Sequence, residues 1–391
     1  MNACLSRREA LALAGWLGLS LAAPAGGRVR ARRLKSVVKG RTIDVHAHLV
    51  PPAWFGRGGQ APRKLSRAEW IKELESNPYI EVPDATTIVA NRLPELEAFE
   101  AARADGSVEA SAAVLVAEMD AAGIDTSVCM LLDEINTPFK RVPVVPIEKM
   151  MEDVERMAST YPGRIVNFLG VDPNRGAEGV ALLDRAVGGH GFCGMGEWLS
   201  ERWGVFPNDR QVSYPYFEAC VRLGIPFANN GSGPAATQSA SIFEQVVTDF
   251  PQLKIVHAAA GVMTEKELKE DPTRAAWSAE LLALAERSEN FFLDMDDWQR
   301  RDQPGQKRAL AFLRKAMDGP ARHRIMFGTD FPVFTQAMSA REWVDVFIGG
   351  AGALGYRFSN VELEAFFSAN ALRYLAGPRA PAALGIGSGT A

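Results

Sequence analysis

The chain of 391 residues is 47% hydrophobic and 23% charged, the make-up of a globular enzyme with a large core. Its net charge of −4 is uneven: the first 39 residues carry eight basic side chains against the single acid Glu9, which leaves −11 on the remainder. An acidic body of this kind gives no support for nucleic-acid binding, which needs a cationic surface; the partner expected is a small-molecule substrate, with a homodimer as one assembly. The cysteines, Cys4, Cys129, Cys193 and Cys220, form no Cys-x-x-Cys pair, and the last three fall in apolar runs where cysteine acts as a small hydrophobe.

In chain order, residues 1–25 read as an export signal. Ser6-Arg7-Arg8 precedes an apolar run from Ala10 to Ala23, too short for a comfortable membrane span, and Ala23-Pro24-Ala25 offers small residues for cleavage. The paired arginines resemble a twin-arginine signal, which implies a periplasmic or secreted protein with no stable span after cleavage; the alternative is an uncleaved N-terminal anchor. Residues 26–39 form a basic, flexible leader. Thr42 to Leu49 is a strand, and Val50-Pro51-Pro52 with Gly56, Gly58, Gly59 and Pro62 opens an excursion, residues 50–107, read as a lid or insertion over the site. Its Trp54, Phe55 and Tyr79 are candidates to line the cavity.

From Val108 onward, helices and strands alternate. Strands are expected at 126–132, 164–171, 192–198, 226–230, 254–260, 290–294 and 324–328, each after a helical segment, and with the first strand they number eight. Strict alternation implies parallel pairing, and eight such strands imply a single-domain α/β fold, a closed (β/α)8 TIM barrel over residues 40–376. Residues 377–391 read as a disordered tail. An open doubly wound sheet is the other architecture, but no glycine-rich phosphate-binding motif follows an early strand.

Catalytic groups of such barrels lie at the C-terminal ends of the strands. The first strand offers His46 and His48, two residues apart and therefore on one face, with Val45 and Ala47 on the other. Two imidazoles on a rigid strand make a ready pair of metal ligands. The later exits offer Asp133 and Glu134, Asp172, Glu197 with Trp198, Asn229 with Asn230, His257, the acidic run Asp294, Asp296 and Asp297, and Asp330. The acidic run is the weaker signal, because charge runs at strand exits are usually solvated. With no lysine at any exit to be carbamylated between two metals, one divalent ion is expected.

Three pieces, Asp44-Val45-His46-Ala47-His48, Gly196-Glu197 and Gly328-Thr329-Asp330-Phe331-Pro332, resemble the amidohydrolase superfamily, in particular its branch of amidohydrolase-related enzymes that includes aminocarboxymuconate-semialdehyde-decarboxylase-like proteins. The resemblance implies His46, His48 and Asp330 as metal ligands, with Asp330 also handling the proton of an activated water. Where that family carries a histidine at the fifth strand, this chain has Asn230, a harder and neutral donor; zinc is the expected ion, with manganese or magnesium more competitive than usual. At the sixth strand the family's histidine position holds Ala259, and His257 lies one strand period, about 6.5 Å, deeper; it is either a site residue acting on an oxyanion or proton, or a buried structural histidine. Glu197 is expected to contact substrate or support the ligands rather than bind the ion. Trp54, Trp198, Asn229 and Arg300 are the substrate-binding candidates. The implied activity is hydrolysis of an amide, lactone or ester by an exported metalloenzyme; the alternatives are non-oxidative decarboxylation of an aromatic or unsaturated acid, and a barrel that has lost catalysis and binds ligands in the periplasm.

Overall fold

The computed structural model describes residues 34–76, 82, 84–133, 143–231, 236–263, 268–269 and 272–385. The export segment, Glu134 and Tyr79 lie outside them. Eight parallel strands pair in sequence order: β1 (Ile43–Ala47), β2 (Thr126–Leu131), β3 (Ile165–Leu169), β4 (Gly194–Trp198), β5 (Phe227–Asn229), β6 (Ile255–His257), β7 (Phe291–Asp294) and β8 (Ile325–Met326). The ring closes where β8 and its exit return to β1, through Val45 N–H donating to Phe327 O (3.0 Å), Asp330 N–H to His46 O (2.9 Å) and His48 N–H to Phe331 O (2.7 Å). Among the described residues, no helix is long and apolar enough to cross a membrane.

The excursion after β1 is helical, with α1 (Arg67–Glu75) and α2 (Ala85–Asp105), and it leads into α3 (Val108–Ala122). Its apolar residues Trp70, Leu74, Ile88 and Leu96 pack on Phe334 and Ala337, in the segment that follows β8. The outer layer continues with α4 (Ile147–Thr160), α5 (Ala177–Gly189), α6 (Tyr214–Leu223), α7 (Ala240–Asp249), α8 (Trp277–Arg287) and α9 (Gln303–Asp318). Side chains facing outward from the strands form one large core with these helices, whereas Ile43, Val45, Val128, Met130, Val166, Phe168, Ala228, Val256, Phe292 and Met326 fill the barrel. The C-terminal helix α10 (Asn370–Leu375) plugs the barrel's lower end, where Tyr374 donates its hydroxyl to Phe227 O (3.0 Å).

The described parts of the expected leader and tail are packed against the barrel. Leu34 and Val38, in the expected flexible leader, are fully buried, and Leu384, in the expected disordered tail, is buried under the barrel. Each supplies apolar surface that the helices and plug leave uncovered, a gain that depends on neighbours distant in sequence.

Two bulges set the direction of the site. On β1, the three residues from Asp44 to Ala47 span only two on β2 (Ser127 to Cys129), so the consecutive residues Val45 and His46 both face inward, the first in the barrel core and the second above it. On β4, Met195 to Trp198 likewise spans three residues against two on β5, Phe227 to Asn229. There Glu197 turns inward while Met195 and Trp198 both face the helix layer. Gly196 makes this possible: its φ is +150°, and a Cβ would stand 2.6 Å from Ala228 Cβ and 2.8 Å from Ala228 O.

Gly196→Ala should therefore cost about 3 kcal/mol or more, read as a fall in the denaturant midpoint with unchanged slope. Gly188→Ala, with nothing within 4 Å of the added Cβ, should be neutral or slightly stabilising.

Candidate metal centre

The bulged end of β1 presents two imidazoles whose tautomers are fixed from behind. His48 Nδ1 lies 3.0 Å from Met130 O, an acceptor only, so Nδ1 carries the proton and Nε2 the lone pair. His46 Nδ1 stands 3.0 Å from Asp296 Oδ2 and 3.5 Å from Asp294 Oδ2, which places its proton on that side as well. These approaches are close but poorly directed, and His46 Nδ1 and Asp294 Oδ2 are buried without a well-formed hydrogen bond. When both rings are neutral, two Nε2 lone pairs therefore face one another across 3.2 Å, a contact that only a shared proton or a cation relieves.

Carboxylates complete the same space. Glu197 spans the pair, with Oε1 3.6 Å from His46 Nε2 and Oε2 3.7 Å from His48 Nε2, and the donor atoms of the three residues all lie within 4.8 Å of one another. Asp330 Oδ1 lies 3.2 Å from His48 Nε2 and 3.9 Å from His46 Nε2. Donors around a four-coordinate ion with bonds of about 2.1 Å are separated by about 3.4 Å, so these spacings fit a divalent cation without rearrangement. The donor set is two nitrogens and two carboxylates, mixed in softness, and suits zinc or manganese. Glu197 thus stands as a third candidate donor beside the two imidazoles.

Burial alone would lower His46, but the bond towards Asp294 and the charges of Glu197, Asp294 and Asp330 push it up to about 10. His48 rises likewise, burial being outweighed by Asp330 and Glu197. Burial first, and then neighbouring negative charge, holds Asp296 and Asp297 well above the usual carboxylate range. The raised imidazoles share one cause, the carboxylates of Glu197, Asp294 and Asp330 around them, whereas for the two aspartates burial comes first.

A family model for amidohydrolases matches residues 43–376. The chain belongs to the amidohydrolase family. No curated protein sequence matches it. Among solved structures, an uncharacterised TIM-barrel protein from Bordetella bronchiseptica is 21% identical with a TM-score of 0.54, over 88% of this chain and 99% of that one. The 5-carboxyvanillate decarboxylase of Novosphingobium aromaticivorans, complexed with manganese and 4-hydroxy-3-methoxy-5-nitrobenzoic acid, is 15% identical with a TM-score of 0.51, over 86% and 96%. At these identities the likeness is one of fold.

Several residues singled out in the sequence lie elsewhere. His257 belongs to the face of β6 that turns to the helices, its ring among Phe243, Trp277 and Phe291, because Val256 before it fills the barrel and strand side chains alternate; Ala259 and Ala260, with left-handed φ of 55° and 45°, then end the strand early. The sixth strand therefore brings a backbone group to the site: Ala259 N–H donates to Asp294 Oδ1 (3.0 Å) and to Asp296. Trp54 is buried against α4, its indole donating to Asp153 Oδ2 (3.0 Å). Trp198 packs outward on Trp203, Tyr216, Phe217 and Phe227. Asn229 also faces outward and accepts from Ser200 Oγ (3.0 Å). Arg300 donates to the carbonyls of Asp297 (2.8 Å) and Gln299 (2.9 Å) in its own loop.

Other groups were undervalued in the sequence. Asp294 and Asp296 are buried beside His46, not solvated. Asp44, seen only as part of a motif, accepts from Thr329 N (3.0 Å), Thr329 Oγ1 (2.7 Å) and Ser127 Oγ (3.1 Å), and so ties β1 to β2 and to the loop that carries Asp330. The legible signal was the apolar run Phe291-Phe292-Leu293 leading straight into Asp294, which places that acid at a buried exit.

Burial pushes the His257 imidazole down to about 4, overriding the carbonyls of Ala258 and Gln238 that favour its charged form. The unfolded chain takes up this proton near pH 6.5, so between pH 6.5 and 4 acid favours unfolding; stability present above pH 6.5 falls by up to about 3 kcal/mol at the lower limit. Urea melts of His257→Leu should show a shallower loss between those limits.

Proposed function

We propose that the protein is a metal-dependent hydrolase in which His46, His48, Glu197 and Asp330 hold one divalent ion and water attacks an amide, lactone or ester carbonyl. The observation that carries this reading is the pair of tautomer-locked Nε2 lone pairs at 3.2 Å, flanked by two carboxylates. A divalent ion bound there would lower the pKa of water towards about 7 and polarise the substrate carbonyl.

The protein's own groups divide the remaining work. Met130 O holds the His48 ring through its Nδ1, and the buried carboxylates of Asp294 and Asp296 stand behind Nδ1 of His46. Asp330, 14% exposed against 7% for Glu197, is the base that a water entering from the mouth meets first. The acids Glu197, Asp294, Asp296, Asp297 and Asp330 crowd the exits, and Arg300, held on its own loop carbonyls, offsets the charge of Asp297. This lining supports a neutral electrophile over an anionic substrate. The second reading, decarboxylation of an aromatic acid, draws on the fold shared with the manganese-containing decarboxylase and on the carboxylate-rich donor set. Export through residues 1–25 belongs to the same proposal and is read by mass spectrometry of the N-terminus of periplasmic protein.

Elemental analysis of the purified protein should find about one equivalent of a transition metal, lost in His46→Ala and reduced but measurable on reconstitution in Glu197→Ala. Asp330→Asn should retain part of the metal and lower kcat roughly 100-fold or more. Turnover of lactone, ester and amide panels in ¹⁸O-water should place one ¹⁸O in the acid product; carbon dioxide release without ¹⁸O would replace hydrolysis by decarboxylation. A parent that takes up neither zinc nor manganese on reconstitution would leave a non-catalytic binding barrel.

A further inference from the structure

Asn230 follows the last residue of β5, and its backbone N–H donates to Trp198 O (3.0 Å), which fixes it against the exit of β4. Asn229 faces the helix layer, so Asn230 turns back over the barrel. Its Nδ2 lies 2.5 Å from Glu197 Oε1, and its Oδ1 lies 3.4 Å from Nε2 of Gln238, a fully buried side chain. Amide nitrogen and oxygen resemble each other in shape, but chemistry separates them here. The reversed amide would set its oxygen 2.5 Å from a carboxylate oxygen, a repulsive contact in place of a hydrogen bond.

An asparagine binds a cation only through its oxygen, and that oxygen is turned to Gln238. The geometry points to Asn230 as a positioning residue, which with Gln238 behind it holds the Glu197 carboxylate across the two histidine nitrogens and is not itself a ligand. The chain of contacts runs further back: Gln238 O accepts from Trp277 Nε1 (3.2 Å) and faces His257 Nε2 at 3.3 Å, so the buried His257 pocket anchors the segment that orients Asn230. A charge-assisted bond of this length restricts rotation of Glu197 and keeps its Oε1 and Oε2 at matched distances, 3.6 and 3.7 Å, from the two imidazoles. This inference rests on the metal-centre reading for its consequence, but not for the contact itself.

The test measures affinity for Mn²⁺ and Zn²⁺ by chelator competition, in the full-length protein and in variants. Asn230→Ala should weaken binding roughly 10- to 100-fold, and Gln238→Leu should weaken it less but in the same direction. In a Glu197→Ala background, Asn230→Ala should cost nothing further, because there is no carboxylate left to hold. Asn230→Asp should also weaken binding, since it sets a second carboxylate against Glu197. Tighter binding by Asn230→Asp, or an equal loss from Asn230→Ala with and without Glu197, would make Asn230 a ligand and overturn the inference. Selective ¹⁵N-asparagine labelling reads the contact even in protein that takes up no metal. A downfield Asn230 side-chain amide proton that moves upfield in Glu197→Ala supports the pairing, and an unmoved one rejects it. Failure of the metal reading is separate: it is a parent that binds no ion at all.

Discussion

Two nitrogen lone pairs held 3.2 Å apart in a buried space are the constraint around which this molecule is arranged. Left alone, the contact would push the rings apart or draw a proton between them. Both rings are confined, His48 by the bond from its Nδ1 to Met130 O and His46 by close packing against the carboxylates at the exit of β7. The carboxylates of Glu197 and Asp330 then turn a repulsive pair into a cation-seeking one. Metal-binding histidines commonly have their far nitrogen held in this way, and here the holding groups come from two strands, β2 and β7, on opposite sides of β1 in the ring.

The barrel supplies what this arrangement requires. A regular strand has period two, and in β1 a regular period would have placed Val45 and His46 on opposite faces. The bulge lets the first fill the apolar interior while the second faces the polar mouth, so one strand passes from core to site within a single peptide. The bulge on β4 does the same for Glu197, with Trp198 directed into the helix layer. Asp44 then ties the bulged β1 to β2 and to the Thr329 that precedes Asp330. The seam where the barrel closes and the place where the carboxylate enters the site are thus one structure.

The interior is unusual in how it treats the fifth and sixth strands. Both contribute short or apolar groups, Ala228, Ala258 and Ala259, and the polar contact from the sixth is a backbone N–H directed at Asp294 and Asp296. With its one polar side chain turned outward, β6 supports the site from outside: His257 faces Gln238 O, and the Gln238 side chain reaches Asn230. A histidine that looked like a displaced site residue is part of the scaffold behind one.

Alternation of helical and strand-like segments was enough to determine eight parallel strands and a barrel, because the hydrophobic period and the crossover length are local properties. The His46–His48 spacing and the Asp330 exit were equally local, and so the donor pair was legible. Facing beyond a bulge was not: the extra residue in β1 and in β4 is visible only against the neighbouring strand, and it decided the aim of Val45, Glu197 and Trp198. The early end of β6 was hidden for a related reason, since alanines at 259 and 260 give no hint of left-handed backbone. The burial of Asp294 and Asp296 also escaped, because a run of acids reads as solvated until the positive partner that justifies its burial, an imidazole 250 residues away in the chain, is brought beside it. The sequence by itself determined which chemistry the strand ends could carry; the tertiary structure alone decided which of those groups meet, because meeting depends on register between strands and on charges paired across the barrel.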